Sequence, residues 1–248
     1  MTHPLPLAVF LILIGPAVGS FMALLADRLP LGENVMTHPS QCRTCGKGIA
    51  WRDKIPVFSY LSLGGKCRHC GQAIPARLFY AEITGAVLAI LAVSVAFGPT
   101  HMVLGAAFLW TLFGLALCDL AAFRLPNALT SLLFLIGMAL VWEDPSRHIN
   151  QGVLAAAAGA GSFWLIRIVY KSLRRREGLG LGDVKLMAGI GAALGISAIP
   201  VVTLVAALLA LLVTAINARR HEQPLEGEMA IPFGAFLSAA AALVFVVG

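Results

Sequence analysis

Apolar runs of about twenty residues recur from one end of the chain to the other, and nothing else in it limits the fold so strongly. They fall at about 6–26, 78–97, 101–120, 126–142, 151–170, 184–197, 198–217 and 229–247. A helix needs roughly 20 mainly apolar residues to cross the hydrocarbon of a bilayer. The pattern therefore predicts an all-α polytopic membrane protein with about eight transmembrane helices. The sixth run is short and rich in glycine, and Pro200 marks its division from the seventh. Composition agrees. Of 248 residues, 59% are hydrophobic and 12% charged, where a soluble domain carries about 25% charged residues. The first run has no Lys or Arg ahead of it. A cleaved signal starts with positive charge, so the run is read as a retained span.

Charge sets an orientation. Arg28, Arg43, Lys47, Arg52, Lys54, Lys66, Arg68 and Arg77 oppose only Glu33 and Asp53 in the segment 28–77. Lys171 and Arg174–Arg176 lie in the connection after the fifth run, and Arg219 and Arg220 after the seventh. Short loops rich in Lys and Arg stay in the cytoplasm. Eight spans with the N-terminus outside put all three segments inside. Arg147 is then the sole Lys or Arg in the outer connections 98–100 and 143–150. Topology thus accounts for the net charge of +6, and no nucleic-acid partner is needed to explain it. The expected division is a first transmembrane helix (1–27), a cytoplasmic loop domain (28–77) and a membrane domain (78–248).

The loop holds Cys42-Arg-Thr-Cys45 and Cys67-Arg-His-Cys70, with 21 residues between the pairs. Each pair lets two thiolates reach one metal from a single turn, and two pairs close a tetrahedral shell. Gly46 and Gly71 follow the pairs, where the backbone must turn tightly. The spacing points to structural zinc, since four cysteines leave no open position for catalysis. A dithiol redox pair and unliganded cysteines are the alternatives, and His69 is read as solvated. Cys118, the fifth cysteine, reads as a small buried hydrophobe.

Four acids touch the predicted spans or their ends: Asp27, Glu82, Asp119 and Asp183. Such groups are costly in a bilayer and are functional candidates. Asp119 closes the third run and Asp183 opens the sixth, in GLGLGDVKL. The topology puts both at one depth on the cytoplasmic side. Two converging carboxylates share a proton, so that one acts as base on water while the other polarises a carbonyl. The bland alternatives are a helix N-terminal acid beside Lys185 for Asp183, and an interfacial pair with Arg124 for Asp119. Asp27 reads as an ion pair with Arg28. Glu82, five residues from Arg77, reads as a salt bridge or helix-start acid. A proton-coupled transporter using the two aspartates as a relay, and a non-catalytic assembly platform, are the rival functions.

Six motifs in order resemble the bifunctional type IV prepilin peptidases, a family with a GxGD-type intramembrane aspartic protease site. They are Gly19-Ser20-Phe21 with Arg28-Leu29-Pro30, the paired CxxC loop, Arg77-Leu-Phe-Tyr80-Ala-Glu82, Asp119-Leu120 with Leu125-Pro126, Gly180-Leu-Gly182-Asp183-Val-Lys185, and Ile231-Pro232-Phe233-Gly234. The resemblance implies catalytic Asp119 and Asp183, with Gly180, Gly182, Lys185 and Glu82 in support. It implies cleavage of the basic leader of prepilins or pseudopilins after Gly at the cytoplasmic face of the bacterial inner membrane. It also implies methylation of the new α-amine from S-adenosylmethionine, although a relative that only cleaves is compatible with the same motifs. Asn127 stands where the family often has an acid, and Ala235 where it often has a second proline. The latter is read as a local change in helix geometry.

Overall fold

The computed structural model describes residues 4–29, 40–175, 178–221 and 231–248. Pro30, Glu33, Arg176 and Glu177 lie outside them. Among the described residues the chain is helical apart from two isolated β-bridges. The helices are α1 (Leu5–Arg28), α2 (Phe58–Ser62), α3 (Ala76–Val95), α4 (Pro99–Ala122), α5 (Asn127–Glu143), α6 (Ile149–Arg174), α7 (Leu181–Leu194), α8 (Ala198–His221) and α9 (Phe233–Val247), with a 3₁₀ turn at Trp51–Lys54. Pro75, Pro126 and Pro232 stand at the N-caps of α3, α5 and α9. Their fixed φ sets the chain for a helix, and the N–H they lack would have had no partner there.

The predicted runs correspond to the eight helices other than α2. Five of these, α1, α3, α4, α6 and α8, are long and apolar enough to cross a membrane. The other three, α5, α7 and α9, are shorter, at 17, 14 and 15 residues. A helix of 14 residues rises only about 21 Å, against roughly 30 Å of hydrocarbon. The division between α7 and α8 falls at Gly195 (φ 89°) rather than at Pro200, which lies in the first turn of α8. Only glycine takes that backbone conformation without strain.

By packing, the chain forms two compact units, Met1–Trp110 and Thr111–Gly248. In the first, α1 and α3 pack antiparallel through small residues. A Cβ on Gly15 would stand 2.7 Å from the Gly85 carbonyl oxygen, and one on Gly19 would strike the Ala81 carbonyl. Backbones this close need glycine or alanine at the contact, the usual means by which apolar helices associate in lipid. The Trp110 indole donates to the Gly85 carbonyl at 2.8 Å.

In the second unit α7 is the central helix. It runs antiparallel to α6, with Gly191 against Ala155 and Gly159 against Met187. It runs parallel to α5, with Lys185 beside Asn127 and Gly137 against Gly189 and Ala193. Both helices therefore start at the same end of the unit. Arg147 closes the opposite end, donating to the Ala193 and Ala192 carbonyls at 2.6 and 3.1 Å. A cation at a helix C-terminus meets the negative end of its dipole.

Candidate functional site

The two CxxC pairs build two copies of one knuckle. In the first, Cys42 N–H donates to Lys47 O and Gly46 N–H to Cys42 O, both at 2.9 Å. In the second, Cys67 N–H donates to Gln72 O at 2.8 Å and Gly71 N–H to Cys67 O at 2.9 Å. Gly46 and Gly71 share φ 70°, and each knuckle is closed by one β-bridge, Gln41–Gly48 and Lys66–Ala73. The repeat escapes a sequence search because little beyond C-R-x-C-G is common to both copies.

The four Sγ atoms lie within 4.8 Å of one another, with Cys42 and Cys70 at 3.8 Å. Four thiolates around a metal at about 2.3 Å stand about 3.8 Å apart, so the cluster could hold a metal. Backbone N–H groups of Cys45 and Thr44 aimed at Cys42 bring its thiol down to about 6. Those of Cys70 and His69 lower Cys67 in the same way. Cys42 and Cys67 are thus favoured as thiolates, the form that ligates, whereas desolvation and the neighbouring thiols push Cys70 up to about 11. His69 is exposed and outside the cluster, and Cys118 is fully buried.

Neighbouring ion pairs fix the loop. Arg68, inside the second knuckle, grips Asp53 through both carboxylate oxygens at 2.7–3.1 Å. That hydrogen-bonded guanidinium holds the Asp53 carboxyl below its ordinary range. Asp27 pairs with Arg43 at 2.6 Å and Arg77 at 2.8 Å. Arg77 therefore serves Asp27, and the expected Glu82–Arg77 bridge gives way to another contact. Glu82 accepts the N–H of Val57 at 2.7 Å. Val57 has φ 63° and ψ −53°, and Phe58 N–H donates back to Pro56 O at 2.6 Å. This is a γ-turn of the rare positive-φ kind, strained for a β-branched residue. A carboxylate on its N–H helps to hold it.

The second unit brings Asp119 and Asp183 together. Asp119 is on the last turn of α4, Asp183 on the first turn of α7, and they are 6% and 9% exposed. Both face the start of α9. A Cβ built on Gly234 would stand 3.1 Å from Asp119 Oδ2 and 3.1 Å from Asp183 Oδ1. The two oxygens thus lie within twice that distance of each other, beside the glycine α-carbon and Leu125 Cδ1.

Each carboxylate is satisfied by a helix N-terminus. Asp119 Oδ2 accepts the Ala235 N–H at 2.9 Å, and Asp183 Oδ2 accepts the Gly180 N–H at 3.1 Å. The positive ends of α9 and α7 are thereby directed at the pair. A buried carboxylate without such donors is strongly disfavoured. Ala235 does more than alter helix geometry, since a proline there would have no N–H to give.

The supporting residues have separate tasks. A Cβ on Gly182 would stand 3.0 Å from Leu125 Cβ, and one on Gly234 would be equally close to Leu125 Cδ1. Leu125 is thus wedged against the starts of both α7 and α9. Gly180 supplies the donor to Asp183. Lys185 turns to Asn127, Nζ to Oδ1 at 2.7 Å, joining the starts of α5 and α7. Sequence reasoning missed a clamp from α6. Arg167 donates to the Leu179 carbonyl at 2.9 Å, and the Tyr170 ring packs against Gly178. Their i, i+3 spacing was the available signal.

The fold and these centres define a class, an all-helical multi-pass membrane protein with a buried carboxylate pair and a four-cysteine cluster in the loop after its first helix. Comparison with known proteins narrows it. Residues 13–96 match the Bacterial Peptidase A24 N-terminal domain, and residues 106–215 match the Type IV leader peptidase family. A prepilin leader peptidase/N-methyltransferase of Burkholderia pseudomallei (strain 1026b) is 35% identical, over 90% of this chain and 71% of its own. Proteins of the same name from Klebsiella pneumoniae and Dickeya chrysanthemi are 36% and 31% identical, over 79% and 99% of this chain and 89% and 94% of theirs. No solved structure matches the chain. The chain belongs to the type IV leader peptidase family and is an enzyme.

Proposed function

We propose that the chain is a bacterial inner-membrane aspartic endopeptidase that removes the basic leader of prepilins or pseudopilins after Gly. Asp119 and Asp183 are the catalytic pair. The observation that carries this reading is the placement of both carboxylates around the Gly234 α-carbon, at the end of the unit where α5, α7 and α9 begin. One carboxylate takes a proton from water as the water attacks the scissile carbonyl carbon. The other, protonated, donates to the carbonyl oxygen; as the adduct collapses, the first returns its proton to the leaving amine nitrogen and the second recovers one from the hydroxyl that becomes the new carboxyl group. The two roles belong to the pair jointly. Backbone donors from α7 and α9 hold one oxygen of each acid, which orients the other.

The Lys/Arg-rich loops put the N-terminus outside and the pair on the cytoplasmic face. The four cysteines hold zinc, which ties the loop together. The relatives' name supports a second activity, methylation of the amine released by cleavage, with S-adenosylmethionine supplying the methyl group.

The test is to incubate the purified protein with a prepilin bearing its leader, beside Asp183→Asn, and to read product masses with and without S-adenosylmethionine. Loss of the leader with wild type alone is expected, followed by a mass gain of one methyl group when the cofactor is present. An intact substrate with folded wild-type protein would overturn the peptidase reading. Cleavage with no mass gain would remove the methylation.

A further inference from the structure

The segment between the two knuckles carries large apolar side chains that the described residues leave uncovered. Trp51 is 80% exposed, Phe58 68% and Leu61 62%, and Ile55 is exposed as well. Phe58 and Leu61 share one face of α2 by their i, i+3 spacing. Arg52 and Lys54, also exposed, lie between Trp51 and Ile55.

Two contacts fix where this segment sits. Tyr60 stacks on Phe79 with ring centroids 4.7 Å apart, and Glu82 holds the Val57 N–H. Phe79 and Glu82 are in the first two turns of α3, about 4.5 and 9 Å along its axis from Ala76. With 20 residues, α3 is about 30 Å long, barely the thickness of the hydrocarbon it must cross. Its first turns must therefore lie at the boundary between headgroups and acyl chains. A segment bound beside those turns lies at that depth too.

We infer that residues 51–61 are an interfacial anchor, seated in the headgroup layer of an anionic leaflet of the bilayer that α3 crosses. Trp51, Ile55, Phe58 and Leu61 enter the acyl boundary, and Arg52 and Lys54 remain among the phosphates. Aromatic residues favour this depth, and basic residues beside them select negative lipid. Two features support this occupant over another protein. The depth is set by α3 itself, and the charge flanking the apolar face is positive.

The full-length protein in nanodiscs provides the test, with the emission lost in Trp51→Phe taken as the Trp51 component. Phosphatidylglycerol-rich discs should give a blue-shifted component. It should be quenched more by lipid brominated near the headgroup than near the chain end, and shielded from iodide. Phe58→Asp with Leu61→Asp should raise iodide quenching at least twofold. A red-shifted component open to iodide and indifferent to brominated lipid would overturn the anchor. Equal bromolipid quenching in pure phosphatidylcholine discs would overturn its anionic preference. Iodide shielding that appears only when a prepilin peptide is added would make the surface a substrate site instead. None of these readings depends on cleavage, so the outcome is independent of the proposed catalytic pair.

Discussion

Asp119 caps a helix to which it does not belong. Its Oδ2 accepts the N–H of Ala235, 116 residues further along the chain, at 2.9 Å. The start of α9 is thereby tied to the end of α4, and one oxygen of the proposed catalytic pair is held in place. Replacing Ala235 by Pro should delete the donor and leave a backbone that the first turn of a helix accepts. A hydrogen bond to a charged group contributes about 1.5–3 kcal/mol. The family often has proline at this position, so water must be able to replace the lost donor, and Ala235→Pro should stay within about tenfold of the wild-type kcat with unchanged far-ultraviolet circular dichroism. Loss of cleavage in folded Ala235→Pro would show that Asp119 in this chain depends on the Ala235 N–H.

The two aspartates should fail separately and equally. Asp119→Asn and Asp183→Asn each keep the side-chain shape, but an amide cannot take or share the proton. General acid–base groups supply about 10²–10⁴-fold in rate, and a loss at the upper end is expected in each variant. The double variant should lose no more than either single one, because the two groups act as a unit. Cleavage mass spectrometry on folded protein checks this, and full activity in either variant would remove that residue from the pair.

Gly234 offers a steric test of the same site. A methyl group there meets Leu125 Cδ1 at 3.0 Å and both carboxylates at 3.1 Å. Gly234→Ala must therefore displace the acids by a few tenths of an ångström or more. Misplacement by about 1 Å can cost about 10²-fold. We expect a fall in kcat of about ten- to a hundredfold, with KM nearly constant. A variant as active as wild type would place the reacting groups elsewhere.

Metal retention should depend on pH in a direction the knuckles set. Cys42 is lowered to about 6 and Cys70 raised to about 11, so protons compete with the metal across that range, and each thiol protonated as pH falls weakens the shell. Zinc captured by a chromophoric chelator should therefore rise as pH falls, most steeply below about 6, where Cys42 too is protonated. Cys45→Ser should lower zinc content and open the 42–70 loop to protease. Stoichiometric zinc in Cys45→Ser would remove that thiolate from the shell.

Removing Arg147 should cost stability, not chemistry. It satisfies two carbonyls at the far end of α7 from Asp183. Arg147→Ala should destabilise by about 1–3 kcal/mol, seen as a lower midpoint of thermal unfolding in detergent, with kcat nearly intact. A large kcat loss without a change in midpoint would show instead that this end of α7 governs the site.

The residues proposed to carry the chemistry stand out in the sequence because the bilayer makes their types rare. Acids at span ends and four cysteines in pairs stand out against 59% hydrophobic composition. Asp119 and Asp183 could be put at one depth from the distribution of Lys and Arg alone. The groups that hold them could not be read. Gly180 N–H and Ala235 N–H are backbone atoms, and a backbone donor leaves no mark on residue type. Nearness in sequence makes Arg77 one expected partner of Glu82, beside a role as helix-start acid, yet Arg77 pairs with Asp27, 50 residues away, and Glu82 with a strained peptide. Such choices among partners are made by packing between helices. Hydropathy puts the start of α7 three residues late, at 184 against Leu181, for a related reason. Apolar content locates a span, but the cap at Gly180 decides where the helix starts.

Once metal is bound, the paired knuckles make a ring of the chain between them. Residues from Cys45 to Cys67 then begin and end at one ion, so a single protease cut between the knuckles would leave no loose fragment. The nicked protein would migrate as one species under native conditions and part into two pieces only when denatured with a chelator present. Stretches inside the ring could thus be cut, lengthened or exchanged while the knuckles keep the two ends of the loop, and the helices that follow them, in register.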